Sequence, residues 1–358
     1  MAHSLLTTVI GSFPKPEYLP IEDWFDAARN EGAMNSERVT ENFTKYQENT
    51  KESDEQLFIK AAEEVISLQI NSGIDIPTDG EVRRENYVHY HCRYLTGFDF
   101  KNLERRVFRD GAYDSHLPAI RKKIEHSNVG YAAFDYISSQ KVSPVPIKFT
   151  LPGPLTIMDT TADCYYEDRP KLNRDLADTI NKEILKLVDA GCRYIQVDEP
   201  LFARQVDDAS SFGMEGIERC FHGVPKEVKK IMHMCCGYPD HLDDEDYKKA
   251  DPGSYHQLAR EVDDLNIDEV SIEDAHCKND LKLLEKFEKK SVIFGAVAIA
   301  SSRIETEDEI INRINSALNH IDRNRLVIAP DCGLGLLTQD LAVAKLSVMC
   351  SAVKKFKN

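Results

Sequence analysis

Two side chains of metal-ligand type lie close together in a short apolar stretch in the second half of the chain. His233 and Cys235 are separated by one residue in the run Ile231-Met-His-Met-Cys235. In a β-strand alternate side chains point to the same face, so this spacing places an imidazole beside a thiol. One nitrogen and one sulfur are half of a tetrahedral zinc site. The pattern therefore predicts a metal site that needs further ligands from elsewhere.

Further ligand-type residues follow other stretches that have the composition of buried strands. Glu273 comes directly after the run 269–272, and Cys332 follows the run 326–329. If these runs are parallel strands of one barrel, their carboxyl ends meet at the face where active sites lie. One nitrogen, two sulfurs and one oxygen would then converge, a donor set suited to Zn²⁺. We predict that the ligands are His233, Cys235, Glu273 and Cys332.

Other roles for these residues stay open at this point. A free cysteine is often a small buried apolar side chain, and a single histidine is often a hydrogen-bonded core residue. His276 and Cys277 are rival ligands, although they lie beyond the strand end in a loop. The four-ligand set is favoured because Glu273 and Cys332 occupy equivalent strand ends.

Eight apolar stretches of strand length occur along the chain, most of them separated by helical patterns. Several helical patterns end at a glycine just before the next stretch, as at Gly73 and Gly191. This alternation predicts an α/β fold, a single (β/α)8 TIM barrel over residues 1–358. An open doubly wound sheet is the alternative. The stretches begin at Thr7, Ile74, Ile147, Tyr194, Ile231, Glu269, Val292 and Leu326.

Residues 99–145 show no clear period and carry many charges. A segment of this length is too long for an ordinary loop in a compact domain. We therefore predict a helical insertion or lid after the second strand.

Composition and charge narrow the range of partners. The chain has 358 residues, with 45 basic and 61 acidic side chains and a net charge of −16. This balance argues against nucleic acids and anionic membranes, which need clustered positive charge. The amino terminus lacks a signal pattern, and no apolar run approaches the ~20 residues of a membrane span, so we expect a cytoplasmic protein. Nine cysteines, an odd number in a large chain, indicate free thiols or metal ligands rather than a disulfide framework.

Seven short motifs occur in a fixed order along nearly the whole chain. They are Ile10-Gly-Ser-Phe-Pro14, Asp79-Gly-Glu81, Pro152-Gly-Pro-Leu-Thr156, Ile195-Gln-Val-Asp-Glu-Pro200, His233-Met-Cys235, Ser271-Ile-Glu273 and Pro330-Asp-Cys-Gly333. Together they resemble the carboxy-terminal catalytic barrel of cobalamin-independent methionine synthase, in the form of its short, single-barrel relatives. The resemblance implies zinc on the four ligands already named and homocysteine as the thiol substrate.

The resemblance also implies which residues bind the amino acid. Glu81 and Asp198 would hold the amino group of homocysteine, and the backbone of Ile10, Gly11 and Ser12 would hold its carboxylate. Two carboxylates at strand ends are what an ammonium group requires. The alternative for either acid is an ion pair with a nearby arginine. Asp198 and Glu273 are the candidate catalytic residues.

Two positions depart from the family pattern. Ala300 stands where the synthase has a histidine that protonates the departing folate, and Thr160 stands where a tryptophan packs against the pterin. Alanine cannot donate a proton and threonine cannot stack, and loss of a general acid costs roughly 10²–10⁴ in rate. These departures argue against methyltetrahydrofolate as the donor. The aromatic run Tyr87–His91 is a candidate for lining the donor side, although packing of a helix start is the favoured explanation for it.

The leading hypothesis is a zinc-dependent thiol alkyltransferase that methylates homocysteine or a similar amino-acid thiol. Zinc lowers the pKa of a coordinated thiol, whereas hydrolysis by zinc-bound water is the competing use. The small-molecule donor would be a methylated cofactor such as a corrinoid, or another alkyl donor. A related alternative adds a thiol sulfonate to an epoxide and would need cations such as Arg83, Arg84 and Arg303. A non-catalytic zinc- or thiol-binding protein is the third hypothesis.

Overall fold

The fold is seen in a computed structural model that describes residues 5–31, 36–108, 113–126, 130–244, 247–251 and 253–356. Its strands are β1 Leu6–Thr7, β2 Leu95–Phe108, β3 Tyr113–His126, β4 Lys148–Pro152, β5 Ala162–Asp163, β6 Tyr194–Asp198, β7 Lys229–His233, β8 Glu269–Ile272, β9 Ser291–Val297 and β10 Leu326–Pro330. Its helices are α1 Trp24–Glu31, α2 Ser36–Glu48, α3 Glu52–Ser72, α4 Tyr87–Cys92, α5 Tyr131–Gln140, α6 Pro154–Asp159, α7 Arg169–Asp189, α8 Val206–Asp208, α9 Met214–Cys220, α10 Gly253–Asp264, α11 Glu307–Ala317 and α12 Gln339–Lys354.

Seven of these strands form one parallel sheet in the order β1-β10-β9-β8-β7-β6-β4. They correspond to seven of the eight stretches predicted to be strands. The remaining stretch, 74–78, forms isolated parallel bridges, from Ile76 to Thr8 and from Thr78 to Lys148. These bridges connect both edges of the sheet to the same short segment, so the parallel sheet is curled.

Alternate residues of the strands pack on opposite faces of the sheet. Ile231, Ile293 and Val327 belong to a small cluster on one face. Their neighbours Met232, Phe294 and Ile328 belong to the main core on the other face. Burial on both faces explains why the strands are continuous apolar runs. His233 is two residues from Ile231, so it lies on the face of the small cluster.

Helices cover the outer face with apolar stripes. The buried residues of α7 recur every three or four positions, which is the pattern of a helix with one face in the core; they are Leu172, Leu176, Ile180, Ile184 and Leu187. Helix α3 ends where the sequence predicts, because Gly73 takes the left-handed conformation with φ 104°. Within the described part of the chain, no helix combines the length and hydropathy that a membrane span requires.

Residues 99–145 are predicted to form a helical insertion or lid, but the first part of this segment forms the strands β2 and β3 and no helix within the described ranges. Strands β2 and β3 pair antiparallel, and β5 joins β3 in parallel. Arg121 forms ion pairs with Asp99 and Glu104 on the neighbouring strand. Such cross-strand pairs let highly charged segments form a sheet. The later part of the segment does contain a helix, α5. Residues 109–112 and 127–129 lie outside the described ranges.

Candidate active site

Three of the four predicted metal ligands come together at the carboxyl ends of β7 and β10. Among the described residues, the ligand atoms of His233, Cys235 and Cys332 all lie within 4.8 Å of one another. The Nε2 atom of His233 is 3.4 Å from the Sγ atom of Cys332. Ligands at zinc bond lengths of ~2.0–2.3 Å lie about 3.6 Å apart around a tetrahedral ion. The donor types and their spacing therefore fit zinc, with a fourth position left for another ligand.

Ser271 on β8 orients the imidazole of this cluster. Its Oγ atom lies 2.9 Å from Nδ1 of His233, and the two residues are register partners in adjacent strands. A hydrogen bond at one ring nitrogen fixes the orientation of the other, as is usual for metal-binding histidines. Nε2 therefore faces the two sulfurs.

The three groups of the cluster shift one another's pKa values. The hydrogen bond from Cys332, opposed by burial and aided by His233, lowers the pKa of Cys235. The same hydrogen bond together with burial raises the pKa of Cys332. Burial works against the charged form of His233, but the hydrogen bond to Cys235 and its negative charge raise the pKa of the imidazole. One thiolate is thus stabilised by its neighbours, and a divalent cation would stabilise both.

Glu273, the predicted fourth ligand, follows β8 but its carboxylate contacts other groups. Oε1 accepts a hydrogen bond from Nζ of Lys249 at 2.9 Å, and Oε2 accepts one from the backbone N–H of Cys236 at 3.2 Å. Burial and the charge of Cys235 raise the pKa of Glu273. Its assignment as a ligand therefore stays a prediction.

Asp331, the neighbour of Cys332, fixes the loop that carries Glu273. Its carboxylate accepts hydrogen bonds from the backbone N–H groups of residues 274, 275 and 276, at 2.8–2.9 Å. Burial raises the pKa of Asp331 to about 7. Gly295 makes room for this contact, since a Cβ there would lie 2.2 Å from Oδ1 of Asp331. This positioning role is not apparent from the sequence, in which Asp331 is only one residue of a motif.

The rival ligand His276 is hydrogen-bonded outside the cluster of His233, Cys235 and Cys332. Its Nε2 atom accepts a hydrogen bond from the backbone N–H of Ala300 at 2.7 Å. Burial, with the charge of Lys249, lowers the pKa of His276 to about 4. Neither His276 nor Cys277 belongs to the cluster of ligand atoms found among the described residues.

Asp198 ends β6 and lies in register beside His233. Its Oδ1 atom accepts a hydrogen bond of 2.7 Å from Nε2 of Gln196. In the described ranges it has no ion-pair partner, which rules out an arginine partner there. Burial raises the pKa of Asp198 to about 7; the charge of His233 opposes this increase, as does that of Lys148, while the charge of Glu81 adds to it. A buried carboxylate that makes no direct ion pair is costly, so this position is suited to a cationic guest.

Glu81 has an arginine partner and an unusual backbone conformation. Oε1 accepts hydrogen bonds from Oγ1 of Thr150 at 2.7 Å and from Nη1 of Arg84 at 3.3 Å. Its φ of 58° is left-handed, a strained conformation that is concentrated at functional sites. A Cβ at Gly11 would lie 2.7 Å from the same Oε1 atom. The predicted carboxylate-binding backbone therefore lies directly against Glu81.

The segment Ile10–Ser12 has its carbonyl groups occupied. The carbonyls of Ile10 and Gly11 accept hydrogen bonds from the side chains of Gln196 and Thr78. The Ser12 carbonyl accepts one from the N–H of Leu334. None of the N–H groups of the segment donates to a residue in the described ranges. These donors are available to an anionic group.

The aromatic run after Glu81 starts α4 and has two functions in the structure. Tyr87 lies beside the site, since burial raises its pKa and the charges of Asp198 and Cys235 add to the effect. His89 instead packs inside the protein and lies 3.0 Å from the carbonyl of Thr160. The expected packing role thus holds for His89, while the pKa of Tyr87 responds to the charges of the ligand cluster.

Comparisons with known proteins give one consistent result. Residues 5–355 match the family model for the catalytic domain of the cobalamin-independent synthases. Methionine synthases of Saccharolobus islandicus and Saccharolobus solfataricus are each 30% identical over 352 and 353 residues, which is 98% of this chain and 94% of theirs. A B12-independent methionine synthase from Shewanella sp. W3-18-1, in complex with selenomethionine, superposes with a TM-score of 0.82 and 26% identity, covering 99% of this chain and 98% of that one.

Proposed function

The chain belongs to the cobalamin-independent methionine synthase family, and from this we propose that it is a zinc-dependent methyltransferase acting on homocysteine or a similar amino-acid thiol. The observation that carries the proposal is the cluster of one imidazole and two thiols within 4.8 Å. His233, Cys235 and Cys332 would hold the metal, and the fourth position would be taken by Glu273 or by the substrate sulfur. Bound zinc supplies a lowered thiol pKa, so that the sulfur is nucleophilic at neutral pH.

The acidic residues beside the cluster would recognise the amino group. Asp198 is buried and forms no ion pair with the described part of the chain, and Glu81 contributes a second carboxylate whose charge acts on it. An ammonium group would give Asp198 a direct partner and would add a second cation beside Glu81, which already pairs with Arg84; charge-assisted hydrogen bonds are about twice as strong as neutral ones. The N–H groups of Ile10–Ser12 would hold the carboxylate. The related Shewanella enzyme was solved in complex with selenomethionine, which supports a sulfur- or selenium-containing amino acid as the ligand of this site.

We infer that the donor is not methyltetrahydrofolate. The N–H of Ala300 donates a hydrogen bond to Nε2 of His276. This ring nitrogen is therefore an acceptor and carries no proton that it could give to a leaving group. The pKa of His276 is also lowered to about 4, which leaves it neutral. Of the described residues considered at this place, neither Ala300 nor His276 supplies a general acid, and a donor whose leaving group needs no proton, such as a methylated corrinoid, fits better.

The thiol-sulfonate alternative is less well supported, because the cations that it needs are already paired. Arg83 binds Glu55, Arg84 binds Glu81, and Arg303 binds Glu309. A sulfonate would have to compete with these carboxylates.

We also infer that the bridges through residues 76–78 close the sheet into an eight-stranded TIM barrel. They join Thr8 next to β1 with Lys148 at the start of β4, which are the two open edges. The expectations of one catalytic domain over residues 1–358, a lid over residues 99–145 and a cytoplasmic location stay predictions.

The decisive experiment compares Cys332→Ser with Cys164→Ser, a change at an exposed cysteine. Zinc affinity is measured by competition with a chromophoric chelator, and methionine formation from L-homocysteine is measured with methylcobalamin and with methyltetrahydrofolate. Cys332→Ser should weaken zinc binding by more than the roughly 10–100-fold expected for an outer-shell change, while Cys164→Ser binds normally. Full zinc affinity in Cys332→Ser refutes the metal assignment. Zinc binding without methyl transfer from either donor supports the non-catalytic alternative.

A further inference from the structure

Lys249, which is neither a proposed metal ligand nor a proposed substrate-binding residue, makes a largely buried ion pair with Glu273. We infer that Lys249 holds the Glu273 carboxylate whenever the substrate sulfur occupies the fourth metal position, and so governs the exchange between these two ligands. The inference rests on the proposed function, because it concerns the same site.

The ion pair gives the carboxylate a complete set of partners away from the metal donors. Lys249 Nζ lies 2.9 Å from Oε1 of Glu273, and the two side chains are only 18% and 2% exposed. The second oxygen accepts a hydrogen bond from the N–H of Cys236. Both carboxylate oxygens are thus satisfied without a metal. Since Cys236 is the residue after the ligand Cys235, this position is immediately beside the cluster.

Contacts of the neighbouring residues hold the Lys249 ammonium group in position. The N–H of Ala250 donates to the carbonyl of Cys236 at 2.7 Å, which attaches the segment between β7 and α10 to the backbone next to Cys235. Lys249 Nζ also lies 5.0 Å from the ring centre of Tyr247, a cation–π contact that restricts the side chain. On the opposite side, the N–H of Glu273 donates to the hydroxyl of Tyr255. The backbones on both sides of the ion pair are therefore anchored.

Charge explains why the exchange needs this lysine. A carboxylate that leaves the metal in a buried site without a counterion would be strongly disfavoured. It would also face three sulfur ligands, all of them anionic. Lys249 neutralises the departing carboxylate at a distance of 2.9 Å. Its presence should therefore weaken the hold of Glu273 on zinc and make entry of the thiol easier.

The test compares Lys249→Met with Lys248→Met, a matched change at the exposed neighbouring lysine. Zinc affinity without thiol is measured by chelator competition, and the affinity of the zinc-loaded protein for L-homocysteine is measured by calorimetry. Lys249→Met should bind zinc at least about tenfold more tightly and homocysteine at least about tenfold more weakly, because Glu273 loses its alternative partner. Lys249→Arg should behave as wild type, and Lys248→Met should change neither affinity.

Glu273→Gln supplies the second arm and keeps the test valid if Lys249→Met fails to fold. In the Glu273→Gln background, replacing Lys249 by Met or Gln should alter neither affinity, because no carboxylate remains to be exchanged. The inference is overturned if the wild type binds zinc and homocysteine but Lys249→Met and Lys248→Met behave alike, or if both affinities change in the same direction. Failure of the wild type to bind zinc or homocysteine would instead refute the proposed function.

Discussion

Replacing Asp198 by asparagine should stabilise the protein while it impairs substrate binding. The two side chains have the same shape, and asparagine can still accept the hydrogen bond from Gln196. The change removes a buried carboxylate whose pKa is raised from 3.8 to about 7, mainly by burial. At about 1.4 kcal/mol per pKa unit, ionising this group costs the folded protein on the order of 4 kcal/mol at pH 8. The variant avoids this cost.

The stabilisation should depend on pH in a defined direction. Because the pKa of Asp198 is higher in the folded state, folded wild type binds the proton more tightly between pH 4 and 7, and its stability falls as pH rises through this window. The advantage of Asp198→Asn should therefore be largest at pH 8 and shrink to about 1 kcal/mol at pH 4.5. Asp189 is exposed at the end of α7, so Asp189→Asn is a control that should change stability by less than about 0.5 kcal/mol.

Urea unfolding of the metal-free protein at the two pH values measures the stability. Calorimetry with L-homocysteine on the zinc-loaded protein at pH 8 measures the functional cost, which should be roughly 10–100-fold in affinity for the loss of one hydrogen bond to a charged group. A variant that is less stable than wild type at pH 8, or equally stabilised at both pH values, refutes the reasoning from burial. Unchanged homocysteine affinity refutes the role of Asp198 in binding the amine.

Two further substitutions test the geometry of the site. Gly11→Ala would place a Cβ 2.7 Å from Oε1 of Glu81 and displace the carboxylate from Thr150; homocysteine binding measured by calorimetry should weaken about tenfold or more, and unchanged binding would separate Glu81 from the amine site. Ser271→Ala removes the hydrogen bond to Nδ1 of His233; zinc affinity measured by chelator competition should fall about 10–100-fold, and normal affinity would mean that packing alone orients the ring.

The strands of the sheet and the clustering of three predicted metal ligands could be anticipated because local patterns specify them. Parallel strands with both faces buried are continuous apolar runs, and the alternation of side chains places His233 and Cys235 on one face. The stretch 74–78 has the same composition but contains Pro77, which has no N–H for a ladder hydrogen bond. This explains why the segment forms only single bridges, at Ile76 and Thr78, although its sequence predicts a regular strand.

Other features depend on contacts between distant residues and have no local signal. The many charged residues of β2 and β3 obscure the alternation of apolar and polar residues that identifies a strand. Their ion-pair partners lie on the opposite strand of the hairpin, as Glu104 does for Arg121. The contact between Lys249 and Glu273 joins residues 24 positions apart. Nothing near Lys249 in the sequence distinguishes it from the exposed Lys248. Such partners become visible only when the chain is folded.

The side-chain amide of Gln196 has a consequence for the length of the amino acid that the site accepts. Its Nε2 atom donates both to the carbonyl of Ile10, at 2.8 Å, and to Oδ1 of Asp198, at 2.7 Å. A single nitrogen thus joins the backbone proposed to bind the carboxylate to the acid proposed to bind the amine. The separation of the two groups cannot widen without breaking one of these hydrogen bonds. Compounds that carry both groups on one carbon should therefore be preferred over β- and γ-amino acids.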